Sequence, residues 1–310
     1  MYRRGFNCIS FNYYTFARVS NPRKGFVLDV SRKAPLSMKP YFHLKTSLFL
    51  FFPYFLIAQT ISPRLIGSRY AALGNASVAL RDAQSLFSNS AGLMGVENKT
   101  LILNSAWFYG VNDLKPIAVG FVMPNPSGVL GFSFKHFGFE SLKDNTLGVA
   151  YARKFSSKLD AGIQLNYSNI TIKDNGSRNV IGFDIGFNTL IIKDLYMAFH
   201  VQNPIPIQSP DSDKTPSVFR LGLAYSINTA VLMVTEVKKD LSYPASVRIG
   251  MAYKPTDKTE FRGGFETQPV KIAFGFGYVL TENLNADLAV SSHSVLGLTP
   301  SLSIHYVFKK

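Results

Sequence analysis

From Leu101 onward the chain breaks into segments of about ten residues in which apolar and small or polar side chains alternate. Clusters of Asn, Asp, Gly, Pro, Ser and Lys separate the segments, and no helical stripe intervenes. A period of two sends successive side chains to opposite faces, so each segment reads as a strand and the series as repeated hairpins. Candidate strands begin near Leu101, Pro116, Gly128, Asp144, Leu159, Asn179, Leu195, Ser217, Ala230, Ala245, Thr259, Val270, Leu284 and Pro300. That gives about 14, and an even count is what a closed bacterial barrel requires.

The two faces decide what kind of β-protein this is. One is apolar and aromatic in strand after strand: Ile163, Leu165, Tyr167; Ile181, Phe183, Ile185, Phe187; Phe219, Leu221, Leu223, Tyr225, Ile227; Val247, Ile249, Met251, Tyr253; Ile272, Phe274, Phe276, Tyr278; Leu302, Ile304, Tyr306, Phe308. The other is small or polar: Gly162, Gln164, Asn166; Gly182, Asp184, Gly186; Arg220, Gly222, Ala224; Arg248, Gly250, Ala252; Gly275, Gly277; Ser301, Ser303, His305. A soluble sandwich would bury the first face and expose the second, and an exposed face is rarely so rich in glycine. Lipid outside and a filled lumen inside account for both, and closure removes the sheet edges that lipid cannot satisfy. The expectation is an all-β protein: a closed antiparallel transmembrane β-barrel in the outer membrane of the cell, with outer-membrane lipid as its surroundings.

Turn lengths orient it. If the first strand rises from the periplasm, the turns at 124–128, 156–158, 193–194, 228–229, 255–258 and 281–283 are periplasmic, and all are short, as periplasmic turns should be. The other side holds 110–115, 173–178, 238–245, 294–299 and the longest, 204–216. The last strand ends on Phe308, with Tyr306 and Ile304 on the lipid face, followed by Lys309 and Lys310.

Before the strands, residues 38–58 have a charged start (Lys39, Lys45), an apolar run from Thr46 and a small residue, Ala58, where cleavage would fall. This is the pattern of a secretory signal peptide. A run this short, broken by Pro53, falls below the ~20 apolar residues of a spanning helix. Residues 1–37 are then expected to be an over-extended leader. Nine of the 33 Lys/Arg and one of the 19 Asp/Glu precede Gln59, so the net charge of +14 falls to +6 in the mature chain. With no clustered basic face, no nucleic-acid partner is expected. The only cysteine, Cys8, lies in the leader, which leaves the mature chain without a disulfide, a thiol nucleophile or a lipidated N-terminal Cys.

Between signal and barrel, residues 67–93 read GSRYAALGNASVALRDAQSLFSNSAGL and neither alternate nor suffice for a domain. The domain plan is therefore a plug segment at 59–100 and a barrel at 101–310. Gly67, Arg69, Ala72, Leu73, Gly74, Ala76, Val78, Ala79, Asp82, Ala83, Leu86, Phe87, Asn89, Ala91, Gly92 and Leu93 fit a stretch found in FadL-like barrels. Within these the chain resembles the PorV/PorQ family, with Ser90 where that family has proline. The resemblance implies a 14-stranded barrel with this segment inside the lumen. Gly74 and Gly92 would allow tight turns, the alanines would fit a narrow lumen, and Arg69, Asp82 and Asn89 would satisfy polar groups of the wall.

Catalytic chemistry finds no support. His136, His200, His293 and His305 stand singly without metal-ligand spacing. Ser303 and His305 share a face, as strand residues two apart must. Gly275 and Gly277 lack the third glycine and the helix of a dinucleotide loop, and Asp211 and Asp213 fit a solvated loop better than a calcium site. No enzyme activity, cofactor or metal is expected. Arg220, Glu236, Arg248, Glu266 and Lys271 form the one notable constellation: inward-pointing, near the extracellular ends of five successive strands, alternating in sign. They read as a salt-bridge belt bracing the mouth, or as a charged constriction selecting what enters.

Function follows from the resemblance. It implies an accessory to protein secretion or surface-protein delivery of the type IX kind, with outer-membrane or secreted proteins as partners. The alternative is FadL-like passive transport of a hydrophobic small-molecule ligand across the outer membrane, and a purely structural paralogue is a third reading.

Overall fold

The computed structural model describes residues 67–204 and 217–309. The expected leader at 1–37, the signal segment at 38–58 and most of the 204–216 loop, with Asp211 and Asp213, lie outside the described residues. Fourteen strands follow in order: β1 (Lys99–Ala106), β2 (Ile117–Asn125), β3 (Gly128–Phe139), β4 (Leu142–Lys154), β5 (Leu159–Ile172), β6 (Gly176–Ile192), β7 (Leu195–Gln202), β8 (Val218–Ser226), β9 (Val231–Asp240), β10 (Ser246–Thr256), β11 (Thr259–Thr267), β12 (Val270–Thr281), β13 (Leu284–His293) and β14 (Gly297–Phe308). Each pairs antiparallel with its sequence neighbour. β1 also pairs with β14, Leu103 lying opposite Val119 on one side and Ile304 on the other, so the barrel is closed.

The faces fall as the alternation demands. Leu165 and Phe274 are 57% and 69% exposed on the outside, whereas their neighbours Gln164 and Ala273 are 7% and 1% exposed on the inside. Among the described residues no helix is long and apolar enough to cross a membrane; the strands cross it. Phe308 packs edge-on against Tyr306 at 4.8 Å and against Phe121 of β2 at 6.3 Å, so the end of the chain is stitched across the closing seam.

Two element starts differ from the sequence expectation by three residues, the largest shifts among the fourteen. β6 begins at Gly176 rather than near Asn179, because Asp174 and Gly176 both take positive φ and close the hairpin within three residues. Ser177, Arg178 and Asn179 look like loop in the sequence because this hairpin extends past the lipid band, where outward side chains need not be apolar. β14 begins at Gly297, ahead of Pro300, whose carbonyl accepts from the Trp107 N–H at 2.8 Å.

The plug comprises helix α1 (Ser68–Ala72), 3-10 turns at Ala83–Phe87 and Ser90–Gly95, and the segments joining them. It supplies the centre of two apolar clusters. Leu86, Phe87 and Leu93 pack on Ile102, Ala118, Val122, Val129, Ala150 and Ala152 of β1–β4. Tyr70, Leu73, Ala76, Val78, Ala79 and Leu80 pack on Ala198, Ala224, Val234 and Ala252 of β7–β10. Burying a leucine-sized side chain stabilises by roughly 1.5–3 kcal/mol, and Leu73, Leu86 and Leu93 are all fully buried.

Candidate functional site: the plug and its two ionic clasps

The luminal glycines have a physical reason at the waist. A Cβ added to Gly162 would collide with Ala91, at Gly186 with the Asn89 side chain, at Gly250 with Leu73 and at Gly264 with Gly74. The wall is bare where the plug lies directly against it. Gly74 meets a double demand, with φ +64° and no room for a side chain beside Phe265. Gly92 has no positive φ; close approach to Leu80 and Ser85, not a tight turn, excludes a side chain there.

The five belt residues come together in one network. Arg220 binds Glu236 through Nε at 2.8 Å and Nη2 at 2.9 Å, and Arg248 reaches the same carboxylate with Nη1 at 2.8 Å. Arg248 Nε donates to Glu266 at 2.8 Å, and Lys271 lies 3.8 Å from Glu266. The network also holds the plug, a function that alternation on the wall strands cannot reveal. Glu236 accepts the Ser77 and Val78 N–H groups, both at 2.9 Å. Arg220 donates to the Ser77 and Ser88 hydroxyls at 2.8 and 3.0 Å, and Asn75 donates to Glu266 at 3.0 Å. Arg220, Glu236, Arg248 and Glu266 are all buried, so the belt closes on the plug instead of lining an open mouth.

A second clasp grips the other side of the plug, near the end with the short turns. Arg69 lies 3.3 Å from Asp82 and 3.6 Å from Glu260. Arg262 bridges Glu260 and Asp287 at 2.6 Å each, and Arg81 pairs with Asp160 at 2.7 Å while lying over the Tyr196 ring. Burial opposes the charge on Arg69, but the carboxylates of Glu260, Asp82 and Asp287 outweigh it and hold its pKa above the usual range. Burial, then Asp82, pushes the Tyr70 hydroxyl well above its ordinary value, so it stays protonated and donates to Asp82 at 2.7 Å. Asn89 donates to Val78 O at 2.8 Å and to Phe187 O of β6 at 3.4 Å, and accepts the Ala91 N–H.

Glu260, Arg262, Asp287, Asp160 and Arg81 were not singled out in the sequence. For the wall residues the signal was present: Glu260 and Arg262 share the parity of Glu266, Asp287 that of Ala289 and Asp160 that of Gly162, so the inward-charge rule extended to the short-turn ends of β11, β13 and β5 finds them, whereas Arg81 lies in the plug, where no alternation points. Ser303 and His305 contact the plug through separate partners, Ser303 accepting the Ser68 N–H at 2.9 Å and His305 meeting Gln84 at 2.9 Å.

Taken together, wall, plug and clasps define a closed 14-strand barrel of the outer membrane with its own N-terminal segment locked in the lumen. No protein-family profile matches the sequence, and no curated protein matches it. Among solved structures it is similar to the Ralstonia pickettii toluene transporter TbuX, with TM-score 0.64 and 13% identity over 81% of this chain and 100% of that one. It is also similar to the P. putida toluene transporter TodX (TM-score 0.61, 12% identity, 80% and 99% covered) and to a Pseudomonas aeruginosa FadL homologue (0.56, 13%, 79% and 98%). At these identities the likeness is one of fold, that of a FadL-like outer-membrane barrel, and two of the three neighbours are described as toluene transporters.

Proposed function

We propose that the protein passes hydrophobic small molecules across the outer membrane. The observation that carries this reading is the filled lumen. Plug and clasps deny a water-filled path to polar solutes, while the outer wall, apolar on every strand, is open to a greasy molecule dissolved in the bilayer. The description of its fold neighbours as toluene transporters supports the same class of cargo. A strain lacking the gene is expected to take up labelled toluene several-fold more slowly than the complemented strain, with sugar uptake unchanged. Equal toluene uptake in the two strains contradicts the proposal.

A second reading, an accessory of type IX-like protein secretion, is favoured by the PorV/PorQ-like plug stretch at 67–93 and by the tight turns at 140–141, 173–175 and 268–269. On this reading deletion leaves toluene uptake intact but removes proteins from the cell surface, and gentle crosslinking captures large outer-membrane partners.

A further inference from the structure

The short-turn end of the barrel carries a girdle of tyrosines that an arginine interrupts. In four strands that run toward this end, the residue paired with the first residue of the preceding strand is an exposed, outward tyrosine. Tyr225 lies opposite Leu195, Tyr253 opposite Val231, Tyr278 opposite Thr259 and Tyr306 opposite Leu284. Tyrosines so placed mark the level at which hydrocarbon gives way to headgroups. In β4 the same place falls to Arg153, one step past the Val129–Ala152 pair and on the outward face with Val149 and Tyr151.

Arg153 is exposed, and so are Lys158 and Lys193 in the adjoining turns. The Lys158 carbonyl accepts from the Leu190 N–H at 2.8 Å, which sets the two turns side by side. Among the described residues none of the three cations is in an ion pair, and the only acid in these turns is Asp194. By contrast, Lys254 on β10 lies 3.5 Å from Glu260, and Lys309 after β14 lies 3.1 Å from Glu282. The cations also stand among apolar side chains: Phe155, two residues beyond Arg153, is 77% exposed and Ile192 is 59% exposed. Beside Arg153 the wall is low, because its partner across the sheet is Ala161, itself paired with Phe187 on β6. The Ala161 methyl floors a recess framed by the larger outward side chains of Tyr151, Ile163 and Phe187.

We infer that this sector of the rim holds an anionic glycerophospholipid of the leaflet at the short-turn end, periplasmic on the orientation set by turn lengths. Arg153 takes the phosphate at girdle level, Lys158 and Lys193 face the headgroup from the turns, and the Ala161 recess takes the ester end of an acyl chain. Two observations select this occupant. The patch is continuous with the wall that lipid covers, and a cation at the hydrocarbon edge without a protein counter-ion is stabilised by an anion that the lipid supplies. A zwitterionic phospholipid brings its own ammonium with the phosphate and leaves the excess positive charge unanswered.

The test is native mass spectrometry of the detergent-folded protein with phosphatidylglycerol and phosphatidylethanolamine added in equal amounts. Wild type should retain phosphatidylglycerol in preference. Arg153→Gln/Lys158→Gln should lower that preference by about fivefold for each charge removed. Ala161→Leu, which fills the recess without touching a charge, should weaken retention of phosphatidylglycerol. Folding of each variant is read from the change in SDS migration on boiling, and if the double variant does not fold, Arg153→Gln alone is read in its place. Equal retention of both lipids by wild type would leave the cations to an acidic soluble partner and overturns the inference. So does unchanged phosphatidylglycerol retention by a folded variant.

Discussion

Replacing Glu236 by Gln tests whether the belt is a sealed clasp. The carboxylate is 1% exposed and accepts from five donors: Nε and Nη2 of Arg220, Nη1 of Arg248, and the Ser77 and Val78 N–H groups. Glutamine keeps one acceptor oxygen but turns an NH2 toward donors, leaving two buried guanidiniums with Glu266 as their remaining close carboxylate. Removing one partner of a buried ion pair costs about 3–5 kcal/mol, most of it the penalty of the charge left behind. Unfolding in guanidinium chloride, followed through the single tryptophan, Trp107, should show a loss of that size. Trypsin should reach Arg81 in the plug before the barrel unfolds. Adding Arg248→Met should recover part of the loss, because the two sites share a network. A change below about 1 kcal/mol, the value of an exposed pair, would mean that water reaches the belt, and the sealed-lumen reasoning would fail.

Gly264→Val should push the plug from its seat, since even a Cβ there collides with Gly74; limited proteolysis is expected to release the plug while the barrel still migrates differently in SDS before and after boiling. Cysteine at Asp174, in the β5–β6 turn, should label with an impermeant reagent on intact cells, and cysteine at Asn228, in the β8–β9 turn, should not. Labelling at Asn228 alone would invert the barrel.

Much of this architecture was readable because lipid outside and protein inside leave a strand no choice of face: Leu165 beside Gln164, or Phe274 beside Ala273, states its orientation in two letters. That Arg220, Arg248 and Glu266 point inward was readable for the same reason, since they share a face with Gly222, Gly250 and Gly264. What the belt binds was not. Glu236 spends two of its contacts on backbone N–H groups of Ser77 and Val78, and backbone donors have no letter in a sequence. The start of β6 was obscured because alternation carries information only where one face meets lipid, and Ser177 to Asn179 stand above it. The glycines were visible as a pattern, but what they make room for required the fold: plug backbone beside Gly162 and Gly250, the Asn89 side chain beside Gly186, and the wall's own Arg262 and Asp287 beside Gly277.

The account stands most directly on the claim that the plug closes the lumen, and planar-bilayer conductance measures this. The full chain should insert without a steady open-channel current, and deletion of residues 67–96 should produce one, since an emptied barrel of this size admits water and ions. A steady current from the intact protein, comparable to that of the deletion, would contradict it.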